Sequence, residues 1–319
     1  MYDVELNEIA VSRYFTWINE RESIRIMREQ GSSWPWTADP ILKKYRFTNV
    51  YREDDTVTKL IRENIRERLN TEFLKSGENS TAAQDLIWSI IAARWFNRPE
   101  TIEQLIESKF LSLETWDPDK AENWLRGWRP KGPWVTGSFI IRGRPGGDKL
   151  EGVLWCIHQA HKQIESLTLD LLHPNITLQQ ATKELCRLHF MAGFLAYEVV
   201  CDLQYTGILD HCSDRYTWAN NTGPGARRGA ARIMGSKLPK PGASEEDTLK
   251  VMETLMNFVY ISGRTYTQEN LPLDVLNPIF IGRDKFTMRE IENGLCEFDK
   301  YERTRLGQGK PRNNFKNRG

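Results

Sequence analysis

The chain has 319 residues, 39% of them hydrophobic and 27% charged, with a net charge of only +1. That length is enough for one large domain or two fused ones and for a sizeable core. The balance excludes a collagen-like or disordered chain and a globally basic field, so any nucleic-acid binding must use a local basic face.

No secretory segment and no long uninterrupted apolar run is present, so neither secretion nor a membrane span is expected. Cys156, Cys186, Cys201, Cys212 and Cys296 are scattered, odd in number and without a C-x-x-C pair, as in a reducing compartment. His158 and His161, like Cys186 and His189, stand three apart on apparent helices. A metal pair is one reading; helix-surface histidines with a core cysteine are favoured on such spacing.

Taken in order, residues 7–30 have helical spacing that ends at Gly31, with Arg13, Tyr14 and Trp17 on one face. A loop over 34–40 leads to a helix start capped by Asp39 with Pro40 in the first position. Residues 43–52 interleave Lys43, Lys44, Arg46 and Arg52 with Tyr45, Phe47 and Tyr51 around Asn49. That pattern suits stacking on bases with arginines for phosphates, or a solvated basic loop over buried aromatics. An amphipathic helix over 53–70 buries Val57, Leu60, Ile61, Ile65 and Leu69.

After a polar break at 75–80, a helix over 81–96 is apolar almost all round and is therefore expected inside. Arg94, Asn97 and Arg98 at its end either cap carbonyls or face a cleft. Short helices follow over 102–109 and 118–128. Residues 135–142 are β-rich and predict a short strand, with a turn after Gly143. Residues 143–149 lack the G-x-x-x-x-G-K-[ST] spacing of a phosphate-binding P-loop, which excludes a P-loop kinase or ATPase reading of this sequence.

Helices are expected over 150–172 and 178–188, then a very apolar one over 190–203. Glu198 and Asp202 lie in it one turn apart, and carboxylates there must be paired or used: by salt bridges to Arg227 or Arg228, or in catalysis. Residues 218–232 follow as a tight turn feeding a helix. Gly223 and Gly225 offer positive φ and close approach, Pro224 fixes the entry, and Arg227 and Arg228 add charge beside free amide groups. Gly-Pro-Gly-x-x-x-Gly-Ala resembles the phosphate-gripping hairpin of helix-hairpin-helix proteins; a plain turn capping a surface helix is the alternative.

A basic linker at 238–242 precedes a helix to Ser262 with Ser244 as cap and Asp247 in a capping box. A loop with Pro272 and Pro278 leads to a final helix from Thr287. Its stripe is Met288, Ile291, Leu295 and Phe298, with Glu290, Glu297 and Tyr301 along one flank and Asp299 towards the other. The expected fold is all-α, about ten helices with at most one small hairpin. It forms one domain over 1–306, divisible into lobes 1–130 and 131–306, before a basic, disordered tail at 307–319.

Four blocks together carry a family resemblance: 45–52 (Tyr-Arg-Phe-Thr-Asn-Val-Tyr-Arg), 96–99 (Phe-Asn-Arg-Pro), 218–229 around Gly-Pro-Gly-Ala-Arg-Arg-Gly, and 295–301 (Leu-Cys-Glu-Phe-Asp-Lys-Tyr). The chain resembles the alpha-glutamyl/putrescinyl-thymine pyrophosphorylase group of phage amino acid:DNA transferases. It is similar also to the helical domain fused to 5-hydroxymethyluracil DNA kinases, without their P-loop. The resemblance implies a fold like that of helix-hairpin-helix DNA glycosylases, and thymine hypermodification in double-stranded DNA inside the host cytoplasm. The pyrophosphate of a flipped 5-pyrophosphomethyl-uracil is replaced by the amine of an amino acid or polyamine.

On that chemistry Arg46, Arg52, Arg94 and Arg98 would clamp pyrophosphate, with Asn49, Asn97 and Tyr301 also contacting substrate. Glu297 or Asp299 would take the amine proton, with Glu198 and Asp202 as alternatives. Gly223, Gly225, Arg227, Arg228, Lys300 and Arg303 would hold the DNA backbone. No nucleotide triphosphate or redox cofactor is expected, while a divalent metal is compatible with pyrophosphate chemistry; no membrane partner is expected. Two competitors remain: a glycosylase with Asp247 as its acid, and a noncatalytic DNA-binding protein.

Overall fold

A computed structural model describes residues 4–76, 80–137, 140–220, 222–237, 241–262, 286–311 and 314–315. In chain order the helices are α1 (Glu8–Glu29), α2 (Pro40–Lys44), α3 (Thr56–Ile61), α4 (Glu67–Ser76), α5 (Ser80–Phe96), α6 (Pro99–Glu107) and α7 (Pro118–Trp128). Then come α8 (Lys149–Lys162), α9 (Ile164–Leu171), α10 (Leu178–Leu185), α11 (Gly193–Leu203), α12 (Pro224–Ile233), α13 (Glu245–Ser262) and α14 (Met288–Arg305). The fold is all-α, and no strand occurs among the described residues.

The chain forms two units: Met1–Asp55 with Tyr216–Gly319, and Thr56–Arg215. The division differs from a cut near residue 130, because the first unit is assembled from both ends of the chain. Its reason is α14. Met288, Ile291, Leu295 and Phe298, spaced three, four and three residues apart, are all fully buried, and that continuous stripe needs partners from both ends. From the N-terminal side, the Tyr14 hydroxyl of α1 donates to the Ile291 carbonyl at 3.4 Å and its ring meets Phe298 edge-on at 5.4 Å. From the C-terminal side α12 lies against α14.

The α12–α14 contact corrects the reading of the glycines. Gly223 is the N-cap of α12 with φ −64° and ψ 129°, so its backbone is open to any residue. Gly225 and Gly229 lie inside the helix, one turn apart on one face. A Cβ on Gly225 would overlap the Cys296 sulfur, and one on Gly229 the Leu295 backbone. These glycines let two helices approach at backbone distance rather than shaping a turn.

Caps define other elements. Asn7 accepts the Ala10 amide at 3.0 Å and opens α1; the Asp39 carboxylate accepts from Ile41 and Leu42 at 2.7 and 2.9 Å and opens α2 with Pro40 in place. Ser244 accepts the Asp247 amide at 2.9 Å at the start of α13, so Asp247 does serve a helix start. Thr287 and Glu290 form a capping box on α14.

In the second unit, α5 is the central element, and Leu86, Ile87, Trp88, Ile90 and Ile91 are all fully buried. Helices α4, α8, α9 and α11 pack around it, as an all-round apolar helix requires. The helix expected over 53–70 starts later: Arg52–Asp54 make a 3₁₀ turn, and a π-turn at Arg62–Arg66 separates α3 from α4. Among the described residues of 135–142 no strand forms, and the backbone bonds here go to helices. Thr136 donates to the Phe96 carbonyl at 2.9 Å, and the Trp134 and Arg142 carbonyls accept from Thr101 at 2.7 Å and Trp95 at 3.1 Å. With those groups satisfied by helix ends, no partner strand is needed.

The tail is also corrected where it is described. Phe315 donates its amide to the Lys44 carbonyl at 3.0 Å, and Asn314 bridges to Tyr45, so 314–315 is docked on the end of α2. Residue 221, the linker at 238–240, the loop with Pro272 and Pro278, and 316–319 lie outside the described residues.

Candidate functional site

Asp299 is the centre of the charged chemistry in the first unit. It sits on α14 with no exposure. Arg228 and Arg232, one turn apart on α12, place their Nε atoms 2.7 and 2.9 Å from its two oxygens. Arg303, one turn along α14, brings a third Nε to 3.1 Å as an ion pair without hydrogen-bond alignment. Arg232 is further fixed by a 2.8 Å bond to Gln308.

One anion therefore holds three cations, which leaves surplus positive charge at this place. Arg228 and Arg303 keep 22% and 35% of their side chains exposed, so the surplus reaches solvent. Asp299 is not exposed to a substrate, and its oxygens are engaged by cations; the geometry makes it a positioning residue for the arginines. Arg227 turns elsewhere, its Nε donating to the Ala243 carbonyl at 2.7 Å.

Two residues before Asp299, Glu297 occupies a different environment. It is 7% exposed, accepts the Thr48 amide at 3.1 Å, and pairs with Lys300 at 2.6 Å. The 47–49 loop is clamped beside it. Thr48 donates to the Asn293 side-chain oxygen at 3.2 Å, and the Asn293 amide donates to the Asn49 carbonyl at 3.2 Å. Arg21, buried on α1, donates from Nη2 to the Phe47 and Thr48 carbonyls at 3.0 and 3.2 Å. Burial lowers its guanidinium to about 10, with Glu297 the largest opposing influence. Nε and Nη1 of Arg21 have no hydrogen-bond partner among the described residues.

The aromatic residues of the 43–52 block, with Asn49 and Arg52, are engaged within the fold. Tyr45, Phe47 and Tyr51 are buried, so their rings are core rather than stacking faces. The Asn49 amide donates to the Asp54 carbonyl at 2.9 Å, and Arg52 pairs with Asp55 at 2.7 Å. Arg46 is exposed. Tyr301 donates to Asp39 at 2.6 Å, and burial with that neighbouring carboxylate raises its phenol.

Arg94, Asn97, Arg98, Glu198 and Asp202 belong to the second unit. Arg94 meets Asp202 through two bonds of 2.6 and 2.8 Å, and also reaches Thr58 at 3.0 Å, Asn97 at 3.2 Å and Glu198 at 3.4 Å. Arg66 adds a 3.6 Å pair to Asp202. The expected partners Arg227 and Arg228 are thus replaced by Arg94 and Arg66. Arg94 and Asp202 are essentially unexposed, so this cluster secures the α5–α11 core and leaves no free clamp. Arg98, the N-cap residue of α6, lies 3.1 Å from Glu100.

Arg232, Arg21, Thr48 and Asn293 escaped the sequence reading. The i,i+4 spacings Arg228–Arg232 and Asp299–Arg303 were available signals for the charged cluster; the Thr48 amide was not, because a backbone donor leaves no mark in a sequence. His161 lies 3.3 Å from the Leu113 carbonyl. Among the described residues no group of three His, Cys, Asp or Glu could hold a metal, and no helix is long and apolar enough to cross a membrane.

With this geometry in place, the comparisons decide the family. The family described as "5-hmdU DNA kinase, helical domain" matches residues 8–310. The chain belongs to that family. It is 25% identical over 317 residues to a 5-hmdU DNA kinase of Bacillus phage SP10, which covers 94% of this chain and 46% of the relative. The chain therefore spans about half the length of the curated relative it matches. No solved structure matches it.

Proposed function

We propose that this member of the helical-domain family is a transferase of phage thymine hypermodification. It displaces pyrophosphate from 5-pyrophosphomethyl-uracil in duplex DNA by an amine. The observation that carries the reading is the family match over 8–310, together with the four sequence blocks at 45–52, 96–99, 218–229 and 295–301. The relative's name, 5-hmdU DNA kinase, supports a modified uracil in DNA as the substrate, and the four blocks resemble the transferase group.

The geometry of the first unit supports division of labour. Arg228 and Arg303, held by Asp299, present guanidinium groups to a pyrophosphate or backbone phosphate. Glu297, fixed by the Thr48 amide and Lys300, is the carboxylate we assign as proton acceptor. The amine nitrogen bonds to the 5-methylene carbon, the carbon–oxygen bond breaks, pyrophosphate leaves with that electron pair, and the amine proton passes to Glu297. Preorganised arginines favour the departing charge without reorganising.

A second reading, recognition of modified DNA without transfer, draws on the basic residues Arg228, Lys300 and Arg303 beside Asp299 and Glu297. Amine transfer by the wild-type protein separates the two, and Glu297→Gln tests the proton acceptor. It keeps shape and the Thr48 bond but cannot take a proton, so amine transfer should fall on the order of a hundredfold with DNA affinity unchanged. Transfer by Glu297→Gln at the wild-type rate would move the proton acceptor elsewhere.

A further inference from the structure

Apart from the charged cluster, the first unit contains a hollow of about 480 Å³ lined by Trp34, Pro40, Lys43, Lys44, Asn314 and Phe315. It is closed on one side by the 314–315 segment docked on the end of α2. Its surroundings are planar and cationic. The Lys43 ammonium stands 4.9 Å from the Trp34 ring centre and the Arg46 guanidinium 5.6 Å from that of Phe315. Arg28 lies 5.4 Å from the Trp36 ring and 6.0 Å from Phe315, and those two rings meet edge-on at 5.7 Å.

Among the described residues, Arg28, Lys43, Lys44 and Arg46 form no ion pair. Two acids near them in sequence, Glu29 and Asp39, are already engaged. Glu29 pairs with Arg25, and Asp39 caps α2 and accepts from Tyr301. Burial, with Arg46 second, lowers Arg28 below the ordinary guanidinium value. Cation–π contact offsets only part of such crowding, roughly 0.5–1 kcal/mol at exposed sites. Four cations around a concave, aromatic-walled space on a chain of net charge +1 make a local positive field with planar walls.

We infer that this hollow seats one unpaired nucleotide, its base against Trp34 or Phe315 and its phosphate among Lys43, Lys44 and Arg46. Trp34 is 48% exposed, so a planar group can reach it. A base inside a duplex has both faces covered by its neighbours, whereas an unpaired base offers a face for stacking. A hollow of this size falls within the range of small-ligand sites. The inference stands on these residues alone and does not depend on the transferase reading. The nucleotide can come from an unpaired strand or be free in solution, and the two share the same chemistry.

Fluorescence anisotropy on the full chain tests it, with a labelled oligothymidylate and a blunt duplex of equal length. Trp34→Ala should weaken the single strand by about fivefold or more while leaving the duplex within about twofold, as loss of one stacking face requires. Lys43→Ala with Lys44→Ala should weaken the single strand and lower its log–log salt slope by about one. Thymidine monophosphate that displaces the oligomer at micromolar concentration assigns the hollow to a free nucleotide; displacement only by oligomers assigns it to a strand. Photocrosslinking of wild-type protein with a 5-iodouracil oligomer should modify Trp34 or Phe315, a readout that needs no variant to fold. Wild-type affinity and salt slope in both variants, equal loss of duplex and single-strand binding in Trp34→Ala, or crosslinks confined to other residues would each overturn the inference.

Discussion

At the residue scale, Asp299 and Glu297 are two positions apart on α14 yet differ in kind. Asp299 balances three guanidiniums out of solvent. Asp299→Asn leaves those cations without their anion, and breaking a buried pair costs about 3–5 kcal/mol. Urea unfolding should register a loss of that order; a midpoint unchanged from wild type would mean that the arginines are held by something else. Glu290 adds a pH effect. Burial raises its carboxyl above the usual range. Below about pH 4.5 both folded and unfolded forms hold the proton. As pH rises further the unfolded chain releases it first, so this group lowers stability across the window up to its folded pKa and the deficit persists above. Glu290→Gln keeps an acceptor for the Thr287 amide and removes the titration. Its stability relative to wild type should therefore increase from pH 4 to pH 7 in parallel urea titrations; a constant difference would contradict the assignment.

At the scale of elements, the α12–α14 pair shows what a sequence does and does not disclose. The span of α7, the start of α14 at Thr287, the Asp39 and Ser244 caps and the buried α5 were all legible, because capping chemistry and apolar periodicity are local. The role of Gly225 was not. Glycines beside a proline read as a turn, and only the position of Cys296, far along the chain, reveals a helix contact instead. The absence of a strand among the described residues of 135–142 has the same origin, since the hydrogen-bond partners there are the ends of helices. The close approach makes a double-mutant test. Gly225→Ala should destabilise by about 1–3 kcal/mol through overpacking, and Cys296→Ala in the same chain should restore part of it by removing the sulfur. Equal and additive losses measured by denaturant unfolding would argue against direct contact.

At the scale of the whole molecule, the first unit joins the two ends of the sequence around α14, while Thr56–Arg215 forms the second. Candidate residues scattered over the sequence are thereby sorted. Glu297, Lys300, Arg228 and Arg303 fall in the first unit, and Arg94, Glu198 and Asp202 become a core ion-pair cluster of the second. Charge and motif spacing identified these residues, but a reading along the chain could not tell an arginine at the surface from one sealed against an aspartate. Product analysis tests the reaction itself. Purified protein is incubated with an amine mixture and duplexes carrying thymine, 5-hydroxymethyl-uracil or 5-pyrophosphomethyl-uracil, without nucleotide triphosphate, then the DNA is digested to nucleosides for mass spectrometry. Only the pyrophosphomethyl duplex should change, yielding an aminomethyl-type nucleoside carbon–nitrogen bonded at the 5-methylene and one pyrophosphate per base. An unchanged pyrophosphomethyl base, modification that appears only when ATP is added to the hydroxymethyl duplex, or an abasic site in place of the pyrophosphomethyl base would each contradict it.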